Sequence, residues 1–319
     1  MRQRLFLLIK LAVSVAALAL IARTLDFDEV WSVIRGANIG WLLVAIVLML
    51  LATPVMGLRL QAAAGCIDLD LDASRAVRYT FIGLFFNQVL PTSFGGDGVR
   101  IWLLLRDKEP TGKAVHAVLL DRIAALIVLG IMIGLFLPLL SGFMPAAPLG
   151  ILAMVSAAVV GGLIALWLFA PPIVSLLSRW SWTRRLANFA SDTRALITAG
   201  WSTVRTILLT ASAHLMAGIA IYALARAFGV APEPLHVIVL TNAIFLSAAI
   251  PLSIAGWGIR EQAMAYFLGM IGVSKAVAIS ISITFGLIMI LVALPGLILW
   301  WVRPKRHSGD PSIVPQTGT

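Results

Sequence analysis

Charge is scarce in this sequence. Only 12% of its 319 residues are Asp, Glu, Lys or Arg, about half the share found in soluble domains, which is too little to coat a water-facing surface. Cysteine is nearly absent: Cys66 stands alone, which excludes an internal disulfide framework and offers no Cys cluster for zinc. The four histidines, His116, His214, His236 and His307, show no ligand-type spacing, so neither a metal nor a cofactor is expected. No Walker-type phosphate loop is present, so no nucleotide-driven step is expected. Acidic residues number 14 against 24 basic ones, a formal net charge of +10. With no soluble segment to present a basic patch, that surplus points to membrane topology and away from nucleic acid.

What the sequence has instead is hydrocarbon. It is 61% hydrophobic with a mean hydropathy of +1.01, so lipid must be its main solvent. Apolar runs at 5–22, 39–58, 114–139, 149–170, 205–228 and 277–302 each suit a full helical span. Two further stretches, 77–106 and 237–270, are apolar but broken by Pro and Gly, and read as paired half-length segments. The fold expected is all-α: a polytopic helical membrane protein of about six full spans plus two broken, re-entrant segments. One transmembrane domain covers 1–302, with an amphipathic surface helix at 173–200 and a disordered cytoplasmic tail at 303–319. The N-terminal run exceeds a usual signal h-region and is read as a retained first helix.

Basic residues partition by face. With both broken segments treated as re-entrant, one side holds Arg2, Arg4, Lys10, Arg59, Arg75, Arg78, Arg106, Lys108, Lys113, Arg179, Arg184, Arg185, Arg194, Arg205, Arg303, Lys305 and Arg306. The other holds only Arg23, Arg35, Arg226 and Lys275. The positive-inside rule makes the first side, with both termini, cytoplasmic.

The most specific signal is an internal repeat. Residues 91–100 read PTSFGGDGVR and 251–260 read PLSIAGWGIR. Pro91/Pro251, Ser93/Ser253, Gly96/Gly256, Gly98/Gly258 and Arg100/Arg260 are identical pairs, within repeat motifs spanning 87–106 and 247–266. Three full spans lie between them, so the two segments enter from opposite faces and the repeat is inverted, as in transporters that alternate access around a central site.

Six ionisable residues fall inside predicted membrane segments: Asp97, Arg100, Asp121, Arg122, Arg260 and Glu261. Each costs about 2.5–3.5 kcal/mol at a helix centre on insertion scales, so each is expected to face protein or a watery cavity and to be paired. Asp97 and Arg100, three apart, share a helix face. The adjacent pairs Asp121-Arg122 and Arg260-Glu261 are expected to point at different neighbours, with Asp121 and Arg122 in structural ion pairs. Gly95, Gly96, Gly98, Gly256 and Gly258 permit an unwound backbone, and Pro91 and Pro251 end the preceding half-helices. The next half-helix turns its N-terminus towards the centre, so with Arg100 and Arg260 the centre suits an anion, and a phosphate above all. Ser93, Ser253 and Thr92 offer hydroxyls. Asn87 and Gln88 either line the cavity or cap exposed backbone.

The runs FNQVLPTSFGGDGVRIWLL, LLDRIA at 119–124 and IPLSIAGWGIREQAM at 250–264 resemble the flippase-like transmembrane family, the membrane domain of bacterial lysylphosphatidylglycerol synthases. The resemblance covers roughly 5–302. Its motif positions fall on Asn87, Pro91, Gly96, Asp97, Arg100, Asp121, Arg122, Pro251, Gly256, Gly258, Arg260 and Glu261. Ala255 departs from the glycine common there. In the synthases this domain is associated with moving the modified phospholipid, and a soluble transferase domain follows it. Here the chain stops after the last span, so synthase activity is not implied. The resemblance implies a multi-pass protein of the bacterial plasma membrane.

The expected function is a lipid translocase for an anionic or aminoacylated phospholipid, with Arg100, Arg260, Asp97, Glu261, Asn87, Gln88, Ser93, Ser253, Gly96, Gly98, Gly256 and Gly258 as substrate-binding candidates. Two alternatives stay open. One is a membrane-embedded enzyme of isoprenoid or glycolipid phosphates, against which stands the want of a nucleophile–base pair or metal motif. The other is an accessory partner of lipid- or envelope-synthesis enzymes. Oligomeric state is not readable from the sequence.

Overall fold

Long apolar runs in which every backbone group must bond internally leave helix as the only economical structure. A computed structural model describes residues 32–90, 95–177, 184–249 and 258–302, and these contain helices and turns but no strand. The run at 5–22, the motif residues 91–94 and 250–257, and the tail at 303–319 lie outside the described residues. In chain order the helices are α1 (Ile39–Gly65), α2 (Ala73–Val89), α3 (Gly95–Arg106), α4 (Thr111–Leu135), α5 (Leu137–Leu140), α6 (Ala146–Leu177), α7 (Arg184–Thr198), α8 (Trp201–Ala227), α9 (Pro234–Ala249), α10 (Ile259–Gly269) and α11 (Lys275–Trp301). Among the described residues, α1, α4, α6, α8 and α11 are long and apolar enough to cross a membrane. At 1.5 Å per residue the 27-residue α1, α8 and α11 each reach about 40 Å, beyond a hydrocarbon core of about 30 Å. The chain is a multi-pass helical membrane protein.

Side-chain caps fix several helix starts. Asn38, Asp72 and Ser274 accept from the backbone N–H groups of Trp41, Arg75 and Val277, each satisfying one of the four orphan donors of a first turn. Of the amphipathic segment expected at 173–200, residues 173–177 continue α6, α7 covers Arg184–Thr198, and 178–183 lie outside the described residues. The apolar run of α6 carries helix past the predicted span end. A contact between His116 Nδ1 and Asp192 joins α7 to α4, with Phe189 packed on the imidazole.

The repeat reaches well beyond the two motifs. The helices α1, α2/α3 and α4 correspond to α8, α9/α10 and α11, and their packing corresponds too. α2 lies between α1 and α11, and α9 between α8 and α4. Small buried residues let α1 and α8 pack closely, Ala45 and Ala52 on one and Ala217 and Ala220 on the other. One detail recurs in both halves. A Cβ on Gly57 of α1 would sit 2.5 Å from Val77 Cα of α2, and one on Gly218 of α8 would sit 3.0 Å from Ile238 Cα of α9.

α2 and α3 form a helical hairpin. Its outer ends meet where Arg75, at the start of α2, pairs with Glu109 just beyond α3 at 3.4 Å, and where Tyr79 hydrogen-bonds to Asp107. Its inner ends meet at Asn87 and Gly96. α9 packs along α10 as the second hairpin. α1 begins beside the end of α8, with Asn38 N–H bonded to Ala227 O at 2.8 Å, and ends one short loop before α2. α11 begins one turn after α10, and its last carbonyls, of Leu299 and Val302, accept from Arg78 of α2. Both helices therefore run from the open end of one hairpin to the open end of the other. The hairpins open towards opposite ends of the bundle, and the repeat is inverted.

Candidate functional site

The inner tip of the first hairpin is built by close approach. Asn87 Oδ1, in the last turn of α2, accepts the backbone N–H of Gly96 at 2.7 Å. A Cβ on Gly96 would lie 2.0 Å from the carbonyl oxygen of Gly83, and a Cβ on Gly83 would lie 2.9 Å from Arg100 Cγ. The two glycines thus let α3 lie on α2 and let the Arg100 side chain pass between them. Of the two roles expected for Asn87, its side chain performs the capping one. Gln88, beside it, is half-buried.

Around this tip five charges lock three helices. Arg59 of α1 binds Asp121 of α4 bidentately, Nε–Oδ1 2.7 Å and Nη2–Oδ2 3.0 Å. Arg100 of α3 donates to Asp121 Oδ2 at 3.1 Å and also pairs with Asp97. Arg122 of α4 reaches Asp97 through Nε and Nη2, each at 2.9 Å to one carboxylate oxygen. Arg59, Asp97, Arg100 and Asp121 are all buried, whereas the Arg122 side chain is 38% exposed. Asp97 with Arg100 behaves as the spacing foretold, and the adjacent Asp121 and Arg122 do turn to different neighbours. Among the described residues three guanidinium groups face two carboxylates, so the cluster carries one uncompensated positive charge, and Arg100 Nε is buried with no hydrogen-bond partner there.

The second hairpin is different in kind. Gly258 starts α10 with φ +90°, a conformation that favours glycine over any residue with a Cβ. Its N–H is accepted by Glu261. Glu261 Oε1 also accepts from Arg260 Nη2 at 2.8 Å and from the Ser282 hydroxyl at 2.9 Å, while Arg260 Nε donates to Ser282 Oγ at 3.0 Å. The guanidinium lies over the Phe285 ring, 5.8 Å from its centroid. One positive and one negative charge are balanced here.

Several expectations need correction. Arg260 and Glu261 pair with each other, because both turn towards Ser282 on α11. Arg59 is not a cytoplasmic loop cation: α1 runs seven residues beyond the predicted end of its span at 58, to Gly65, and carries the guanidinium inside. With Arg59 counted, four guanidinium groups, of Arg59, Arg100, Arg122 and Arg260, stand against three carboxylates, of Asp97, Asp121 and Glu261. Gly95, Gly96 and Gly98 are helical; Gly96 serves close approach, and Gly98 is exposed with open space beside it. Arg100 and Arg260 belong to separate clusters, one in each half. Ser93, Ser253 and Gly256 lie outside the described residues.

Arg59 and Ser282 escaped sequence reasoning. Ser282 had a signal: it follows Arg260 by 22 residues as Asp121 follows Arg100 by 21, so the repeat places it. Arg59 had none, since nothing across a separation of 62 residues points from it to Asp121. Also unread in the sequence is an apolar cleft of about 950 Å³ between α6, α9 and α10, beside Gly258 and Gln262.

Comparison with known proteins finds similarity to a membrane-protein family and to a curated membrane protein. The family model described as lysylphosphatidylglycerol synthase TM region matches residues 7–296. A UPF0104 membrane protein of Archaeoglobus fulgidus is 28% identical over 116 residues, which are 36% of this chain and 35% of that protein. The likeness thus spans about a third of the relative's length.

Proposed function

This chain belongs to the family of the lysylphosphatidylglycerol synthase transmembrane region, and from that premise we propose that it translocates a phospholipid with an anionic headgroup, bare or aminoacylated, across the bacterial plasma membrane. Both hairpins are re-entrant in this reading, their tips near the midplane. The face bearing Arg75, Arg78, Arg106, Lys108 and Lys113 is cytoplasmic, by the excess of cations at the open end of the first hairpin. The headgroup passes the two tips while its chains stay in lipid.

The observation that carries the reading is the uncompensated positive charge at the first tip. A buried cation without a counter-charge is costly in hydrocarbon. A phosphodiester at Arg122 supplies the missing negative charge, and a guanidinium holds it through two N–H groups. Arg122 is the least buried member of the cluster, and Asp97 fixes its orientation. Arg59 and Arg100 act behind it, holding α1, α3 and α4 in register. Arg260, neutralised by Glu261, offers a weaker second contact on the other face of the repeat.

The test is a proteoliposome assay of headgroup accessibility with fluorescent phosphatidylglycerol. Arg122→Gln is expected to slow transfer about tenfold or more, since a charge-assisted hydrogen bond is worth about 1.5–3 kcal/mol. Arg122→Lys keeps the charge but not the fork and falls between. Unchanged transfer in folded Arg122→Gln removes this residue from the path. No transfer by the wild-type protein alone favours the accessory role.

A further inference from the structure

The cleft between α6, α9 and α10 has no part in the ion clusters, yet its volume of about 950 Å³ stands near the top of the about 300–1,000 Å³ range of small-molecule sites. We infer that it is the subsite for one fatty-acyl chain of the glycerophospholipid, an assignment that rests on the translocation reading for the lipid's passage but not for its binding.

The polarity of the walls selects the occupant. Ile151, Leu152 and Val155 of α6 face Leu246 of α9 and Ala263 and Phe267 of α10, and none of the described lining residues is charged, so a headgroup gains nothing there while a hydrocarbon chain fits. The lining of α6 extends from Ala147 to Val155, about 12 Å of wall at 1.5 Å per residue. Ile151 and Tyr266 on its rim are 56% and 53% exposed, so among the described residues the cleft is open along that side. Apart from the Tyr266 hydroxyl on the rim, its polar groups lie at one end, where Ser247 stands near the end of α9 and Gly258 and Gln262 begin α10. Ser247 already donates to Ala243 O and has lone pairs to offer. The Gln262 carboxamide has no side-chain partner among the described residues, and its NH₂ is a donor. An ester carbonyl at the head of an acyl chain meets that donor. A polyprenyl chain has no such carbonyl, which is why the acyl lipid is the occupant.

Photolabelling tests this. Purified protein is placed in phosphatidylcholine vesicles with a trace of phosphatidylglycerol bearing a diazirine near the end of one acyl chain, and adducts are mapped by mass spectrometry. Adducts are expected to concentrate several-fold on 147–155 and 259–267 relative to the exposed face of α1 at Leu43, Val47 and Leu51. Ile151→Trp, a change at a half-exposed rim position, narrows the mouth of the cleft and lowers labelling towards the α1 level. Gln262→Leu abolishes the preference for the ester over the ether-linked analogue. Even labelling of cleft and α1, or equal labelling by a polyprenyl phosphate probe, overturns the assignment. So does labelling seen only after purification, which reveals a protein occupant in native membranes. Headgroup transfer followed in the same vesicles separates the two claims: cleft labelling without transfer keeps the subsite and removes translocation, and transfer with even labelling does the reverse.

Discussion

Asp121→Asn is expected to lower stability by about 3–5 kcal/mol, the range for breaking a buried ion pair by removing one partner. Asp121 is fully buried and accepts from Arg59 twice and from Arg100 once. The amide keeps the shape but removes the charge, leaving three guanidinium groups against Asp97 alone. Its NH₂ also points a donor at donors. Thermal unfolding in detergent, followed by loss of monodisperse elution, measures the effect. Arg59→Met combined with Asp121→Leu should recover much of the loss, because a neutral pair of similar volume removes one charge of each sign, keeps the cluster at the single positive excess of the wild type and lets Asp97 serve Arg100 and Arg122. If Asp121→Asn unfolds at the wild-type temperature, the cluster is not the lock between α1, α3 and α4.

Gly96→Ala is expected to be the next most damaging change, at about 3 kcal/mol, the upper part of the usual range for overpacking. The added methyl would meet backbone, the Gly83 carbonyl oxygen at 2.0 Å, as well as the Asn87 side chain at 2.7 Å. Neither can retreat without parting α3 from α2 and breaking the Asn87–Gly96 hydrogen bond. Gly98→Ala is the matched control. It stands one turn-fraction away in the same helix with open space around it, and alanine there should stabilise by up to about 1 kcal/mol through helix propensity. The two thermal shifts should thus have opposite signs. Equal destabilisation by both would mean that the tip is not packed as described. Slower headgroup transfer in a more stable Gly98→Ala would support the candidate role of Gly98 in the lipid's path.

The two tips carry unequal charge, and that inequality follows from which residue each half places opposite its arginine. Arg100 meets Asp121 and recruits Arg59 and Arg122 into one cluster, whereas Arg260 meets Ser282 and is satisfied by its neighbour Glu261. Duplication supplied the scaffold, and divergence at a few positions made one tip cationic and the other neutral. In the proposed translocation an anionic headgroup released from Arg122 would find weaker attraction at the second tip, beside the cleft proposed for an acyl chain.

Much of this molecule was legible in its order of residues. Hydrophobic run length gave the spans at 39–58, 114–139, 149–170, 205–228 and 277–302 to within several residues, because a helix of about 20 apolar residues has no other stable use. The identities between 91–100 and 251–260 gave the duplication, and the three spans between them gave its inverted sense. Charge scarcity marked Asp97, Arg100, Asp121, Arg122, Arg260 and Glu261 as costly and therefore placed with purpose. Partner choice was another matter. Whether Asp121 turns to Arg122 or to Arg59 depends on the rotation of α1 against α4, which helix packing sets and local periodicity does not record. The roles of Gly96 and Gly98 differ for the same reason: both are glycines in one helical turn, but only one faces α2. The cleft is a property of three helix surfaces from distant parts of the chain, none of which bears its mark alone. Solvent chemistry, acting on single segments, determined which parts enter the membrane; the angles at which those segments pack decided which charges are met and which one is left over.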